Sequence, residues 1–123
     1  MSARAALVLA ALLMAAAVGA GAFGAHALRS RVDAAALGVW STAVQYHAWH
    51  ALGLLAVGLY RLHAPDRAGL PLAGWLFVAG IVLFSGSLYA LALGAPRAAG
   101  VITPLGGVAF LAGWIVLAWA ASR

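Results

Sequence analysis

The chain contains no cysteine, no lysine and no glutamate, and its two acidic residues are Asp33 and Asp66. Without cysteine, disulfide bonds, thiolate metal sites and thiol catalysis are excluded. Charged residues make up 7% of the sequence, against about 25% in soluble domains. A soluble protein of 123 residues needs a far more polar surface to face water. The scarcity of charge therefore indicates an outer surface that faces lipid.

Hydrophobic residues make up 67% of the chain and form four long runs between the arginines. Each run holds about 20 residues, the length of α-helix that crosses a hydrocarbon core of about 30 Å. Because backbone groups in lipid must bond within their own segment, we predict helices rather than strands. The predicted spans cover approximately residues 5–28, 42–62, 70–93 and 101–121. Short connections then predict an all-α, up-down-up-down four-helix bundle, a single membrane domain covering residues 1–123.

The beginnings of the first two spans each carry a further signal. Arg4, the alanine-rich run after it and Ala20-Gly21-Ala22 also fit a cleavable signal peptide. The apolar stretch continues to Leu28, however, which is longer than the apolar part of most signal peptides. Ahead of the second span, Asp33 predicts a helix N-cap and a short surface helix that leads into the span.

The net charge of +5 does not indicate nucleic-acid binding. A nucleic-acid binder needs a clustered basic face, whereas these arginines lie singly or in pairs between apolar runs. That placement is typical of membrane-flanking anchors, which attract anionic lipid headgroups. The expected partners are therefore membrane lipids, together with a second copy of the chain or another membrane protein.

Gly19, Gly21 and Gly24 show the spacing G-x-G-x-x-G of the dinucleotide-binding fingerprint. The fingerprint requires a strand before the first glycine and an acidic residue about 20 positions later. An alanine-rich run precedes these glycines, and Val44 occupies the acidic position. Small residues four apart predict close contacts between membrane helices instead. We assign to helix packing Gly19, Gly24, Gly86, Ala90 and Gly113.

An antiparallel arrangement of the four spans places their polar residues in one half of the membrane. These residues are His26, Gln45, Tyr46, His47, His50, Ser85, Ser87, Tyr89 and Thr103. Polar groups in lipid are costly unless they bond one another or line a cavity. The pattern therefore predicts a polar cluster that either joins helices by hydrogen bonds or holds a ligand.

Catalysis and metal binding are weakly indicated. Three imidazoles, His26, His47 and His50, resemble a metal or haem ligand set, but no carboxylate in the spans supports them. Ser85 and Ser87 lack the strand–turn–helix setting of a nucleophile elbow, and no acid is placed to orient a histidine. We therefore predict no cofactor, no metal and no enzymatic activity.

Several motifs together resemble one known family. They are Gly21-Ala-Phe-Gly-Ala-His-Ala-Leu, Trp40-Ser-Thr-Ala-Val-Gln-Tyr-His, Leu83-Phe-Ser-Gly-Ser-Leu-Tyr and Ile102-Thr-Pro-Leu-Gly-Gly. The family is domain of unknown function 423, small multi-pass membrane proteins of bacteria that are related to transmembrane protein 256 of animals. The resemblance runs from Ala17 to Trp114 and implies that the first span is retained. The matching positions include most of the polar set, although His47 fits less well, and no activity comes with the resemblance.

The residues and the resemblance lead to one expected function and one alternative. We expect a non-catalytic component of the bacterial inner membrane that packs against partner helices or assembles with itself. The alternative is a small transporter, or a protein that binds lipid or quinone through the polar cluster.

Overall fold

The computed structural model describes residues 1–123, and it is helical with no strand. The α-helices are α1 (Ala3–Ala25), α2 (Ala34–His63), α3 (Leu70–Gly80), α4 (Gly86–Ala92) and α5 (Ile102–Ala121). A π-helical segment, Ile81–Ser85, joins α3 and α4 into one continuous rod. The chain therefore has four helical rods, and the prediction of an all-α four-helix bundle is confirmed.

Three of the four rods are long and apolar enough to cross a membrane. They are Ala3–Ser30, Leu70–Ala92 and Arg97–Ala121. The remaining helix, α2, has 30 residues and exceeds the required length. Its hydropathy is lower because it carries several of the polar side chains noted above. Helix α2 is thus the most polar of the four, and the other rods must shield its polar side chains from lipid.

Local capping explains where the helices begin. Asp33 Oδ1 accepts a hydrogen bond of 2.8 Å from the Ala36 backbone N–H, so the predicted N-cap is confirmed. The helix that begins at this cap leads into the second span without a break, so the predicted surface helix is the first part of α2. Gly69, before α3, and Gly94, after α4, have φ values of 91° and 98°, which favour glycine.

The packing places α2 and the third rod in the middle of the bundle. Helix α1 packs mainly on α2, and α5 packs along α3 and the π-helical segment. No extensive interface joins α1 to α5. The largest core cluster includes Val57, Leu70, Phe77 and Phe110 and thus joins α2, α3 and α5. One side of α1 is therefore left facing away from the bundle.

Two of the predicted packing residues lie where helices come close together. A Cβ atom added to Gly24 would lie 2.6 Å from Trp40 Cδ1, and one added to Gly113 would lie 2.8 Å from the Phe77 ring. Ala90 is half-buried. The two tightest glycine contacts were not among the predicted ones: they lie at Gly80 against Phe110 and at Gly106 against the Phe84 backbone. Gly58 also approaches Leu7 closely and was not predicted.

The assignment of Gly19 and Gly86 to helix packing needs correction within this chain. A Cβ atom at Gly19 would meet nothing within 4 Å, and one at Gly86 would meet only the Ile81 carbonyl oxygen, at 3.9 Å. Both glycines are exposed. Spacing identifies a face made of small residues, but it does not reveal whether that face turns toward the bundle or away from it.

Candidate functional site

We call the end of the bundle where α1 and α4 finish and α2 and α5 begin the polar end. There His47 Nδ1 of α2 and the Tyr89 hydroxyl of α4 lie 2.9 Å apart. The Tyr89 ring packs on Trp40 with a centroid distance of 4.6 Å. Trp40 Nε1 in turn donates a hydrogen bond of 2.8 Å to the Ala20 carbonyl of α1. This chain of contacts connects α1, α2 and α4.

Gly24 is what allows the indole to reach α1. Its missing side chain leaves the space that the Trp40 ring occupies, and the Ala20 carbonyl lies one turn earlier on α1. Trp40 was not among the site residues predicted from the sequence. A buried indole N–H needs a hydrogen-bond acceptor, and this requirement is what points to a structural role for Trp40.

Two serines of the third rod form a second set of contacts between helices. Ser85 is fully buried, and its hydroxyl donates a hydrogen bond of 2.8 Å to the Ala43 carbonyl of α2. The Ser87 hydroxyl lies 2.9 Å from the Phe84 carbonyl and 2.6 Å from Thr103 Oγ1 of α5. Because the carbonyl can only accept, Ser87 donates to Phe84 and Thr103 donates to Ser87. Both serines thus bond to a carbonyl group, and each also connects the third rod to a neighbouring helix.

The π-helical segment ends at Ser85, two residues before Ser87. The Gly86 N–H bonds to the Ile81 carbonyl, a π-type bond that inserts one extra residue in the turn. Opposite the segment, Gly106 of α5 approaches the Phe84 backbone closely. Such bulges reorient the side chains that follow them, and here Ser85 and Ser87 reach different neighbours, α2 and α5.

His50 lies deeper in the bundle and belongs to an aromatic group. Its Nδ1 atom is 2.7 Å from the Tyr46 carbonyl, and its ring stacks on Phe110 with centroids 3.4 Å apart and planes at 11°. The Phe77 and Trp114 rings lie near its edges, at 5.7 and 6.0 Å. Phe110 was not predicted as part of the site, because an isolated phenylalanine in an apolar run carries no sequence signal.

Two of the predicted site residues do not join the others. The side chains of His26 and Gln45 are exposed and make no hydrogen bond. His26 instead ends α1, where its backbone N–H bonds to the Ala22 carbonyl. No three histidine or carboxylate side chains come together in a set that could hold a metal ion. The predicted cluster is therefore a pair of interhelical networks with an adjoining aromatic group.

The Ser87–Thr103 pair provides a direct measure of how strongly these networks hold the helices. We expect Ser87→Ala and Thr103→Val together to show a coupling energy of about 1 kcal/mol, because the hydroxyls bond across a helix interface in lipid. The measurement is a double-mutant cycle on unfolding of the detergent-solubilised protein. Additive effects of the two substitutions would contradict the bond.

Sequence comparisons relate the chain to bacterial membrane proteins. Residues 20–107 match the family described as "Protein of unknown function (DUF423)". The chain is 49% identical over 98 residues to the UPF0382 membrane protein YwdK of Bacillus subtilis, covering 80% of each protein. It is 45% identical over 94 residues to a UPF0382 membrane protein of Haemophilus influenzae, covering 76% of this chain and 74% of that protein. No solved structure matches the chain.

Proposed function

Because the chain belongs to the DUF423 family of membrane proteins of unknown function, as its motifs predicted, we propose that it is a non-catalytic component that assembles with itself in the membrane. The bacterial inner membrane is the proposed location, since the relatives are bacterial membrane proteins. The proposed contact is the outward face of α1.

The observation that supports self-assembly is the composition of that face. Ala11, Ala15, Gly19 and Ala22 recur at intervals of three and four residues, so they lie on one side of the helix. All four are exposed, while the buried residues of α1, such as Ala10 and Ala17, lie on the opposite side. We call these four residues the α1 seam. Its small side chains let a second helix backbone approach closely.

The outward face of α5 shows what an ordinary lipid-facing surface of this chain looks like. Leu105, Val108, Leu111 and Ile115 are each more than half exposed there. In lipid no hydrophobic force drives helices together, so association depends on close van der Waals packing between small residues. The α1 seam offers small residues for that packing, with the exposed Val8, Leu12 and Val18 beside it, whereas the α5 face is made of large residues.

The polar networks support a non-catalytic role. The hydroxyls of Ser85, Ser87 and Thr103 are engaged in bonds between or within helices. A nucleophile needs a free hydroxyl beside a base that a third group orients. Here the buried serine hydroxyls support helix packing instead.

The test is the oligomeric state of a variant with a blocked seam. We expect the double variant Ala15→Leu, Gly19→Leu to weaken self-association at least tenfold, because two leucines keep the partner helix at a distance. Energy transfer between labelled copies in bilayers measures the dissociation constant, and native mass spectrometry from mild detergent gives the stoichiometry.

Ala118→Leu on α5 is the matched control, since Ala118 is exposed on the face made of large residues. This control is expected to associate like the unmodified chain. A monomeric unmodified protein, or a seam variant that associates as strongly as the control, would refute the proposal.

A further inference from the structure

An open groove runs along the lipid-facing side of the bundle between α2 and α5. Its volume is about 420 Å³, and its walls include Tyr46, His50, Phe84, Phe110 and Trp114. That volume lies in the range of roughly 300–1,000 Å³ that small-molecule sites occupy. The α1 seam is on another helix, so a ligand in the groove would not contact the surface that we propose for self-assembly.

His50 brings a hydrogen-bond acceptor to this largely apolar groove, whose lining residues also include Tyr46 and Trp114. The side chain is only 5% exposed, and it forms part of the wall. Its Nδ1 faces the Tyr46 carbonyl, which can only accept, so Nδ1 carries the proton of the neutral ring. Nε2 is then an acceptor, and no protein group bonds to it. Nε2 is not fully enclosed by protein atoms, and the residue that carries it lines the groove.

The position of this acceptor restricts the ligand. Along α5 the groove extends from Pro104 to Trp114, which is about 15 Å at 1.5 Å per residue. That is half of a hydrocarbon core of about 30 Å. Phe110, against which His50 stacks, lies about 12 Å from the beginning of α5. The ligand must therefore place a hydrogen-bond donor well below the headgroup region.

We propose that this groove binds a quinol, a dihydroxylated aromatic ring with a hydrocarbon tail, whose hydroxyl donates to His50 Nε2. The Phe84 and Trp114 rings provide apolar walls for a flat ring, and the remaining length accommodates part of the tail. A phospholipid acyl chain at this depth has no donor for Nε2, and a phospholipid headgroup stays at the surface. The oxidised quinone has carbonyl acceptors only and cannot donate to Nε2.

The test compares a probe that has the donor with one in which methyl groups replace its hydroxyl hydrogens: decyl-benzoquinol and its dimethyl ether. Each is titrated anaerobically against the full-length protein in detergent, and the apparent Kd is taken from the increase in melting temperature. We expect the quinol to bind roughly five- to tenfold more tightly than the ether, the effect of one hydrogen bond. Decyl-benzoquinone is expected to bind like the ether.

Two variants assign the preference to the groove. His50→Phe keeps a ring against Phe110 but removes the acceptor, so the ratio of the two Kd values should fall to about one. Gly107→Leu fills the groove and should weaken the binding of both probes. The protein should tolerate this substitution, because a Cβ atom at Gly107 makes only ordinary contact with Phe84, at 3.8 Å. Neither substitution lies on the α1 seam, so self-association is expected to be unchanged.

Equal binding of quinol and ether by the unmodified protein would overturn the proposal and leave an unselective apolar groove. A preference that persists in a folded His50→Phe variant, or binding unaffected by Gly107→Leu, would overturn it as well. If His50→Phe does not fold, the probe ratio of the unmodified chain and the Gly107→Leu variant still decide the question.

Discussion

Replacing Gly106 by leucine is expected to separate α5 from the third rod and to prevent stable folding. A Cβ atom at this position would lie within 3.0 Å of Phe84 backbone atoms. A side chain can rotate away from a new neighbour, but a helix backbone cannot, so the two rods must move apart. We expect a loss of more than about 3 kcal/mol in the free energy of unfolding. Titration with denaturing detergent, followed by circular dichroism and tryptophan fluorescence, measures it.

The adjacent glycine is a matched control for this substitution. A Cβ atom at Gly107 would lie 3.8 Å from Phe84 Cδ2, an ordinary van der Waals distance. Gly107→Ala is therefore expected to be neutral or stabilising, because alanine favours a helix over glycine by about 1 kcal/mol. If Gly106→Leu and Gly107→Ala unfold at the same detergent concentration, the close approach of α5 to Phe84 is wrong.

Truncation of Phe77 is expected to have the second-largest effect. Its ring is fully buried and lies between Gly53 of α2 and Gly113 of α5, where added Cβ atoms would approach it to 3.1 and 2.8 Å. The two glycines make room for this one ring, so removing it leaves a cavity at the junction of three helices. In lipid the lost term is van der Waals contact rather than transfer from water. We expect Phe77→Ala to destabilise the protein by about 2–4 kcal/mol.

Trp75 provides the comparison for Phe77, because it lies on the same helix but is 55% exposed. We expect Trp75→Ala to cost less than about 1 kcal/mol, since lipid chains replace most of its contacts. Both variants are compared by thermal unfolding in the same detergent. A cost for Phe77→Ala no greater than that for Trp75→Ala would contradict the central position of the Phe77 ring.

Much of the candidate site was predictable from residue type and topology. The spans alternate in direction, so polar residues near the end of one span and the beginning of the next must lie at the same depth. Tyr89 accordingly lies near α2, and Ser87 lies near Thr103. The exposed positions of His26 and Gln45 could not be predicted in this way, because depth along a helix carries no information about which way a side chain faces.

Composition and length by themselves determined that this protein lies in lipid and that its fold is all-α. A chain with 7% charged residues and apolar runs of membrane length has no other way to satisfy its backbone than as membrane helices. Tertiary structure alone decided which small residues are contacts: Gly24, Gly106 and Gly113 face neighbouring helices, whereas Gly19 faces outward. The physical reason is that lipid and protein interior are both apolar. Hydrophobicity therefore does not distinguish the inside of a membrane helix from its outside, and only the fit between helices does.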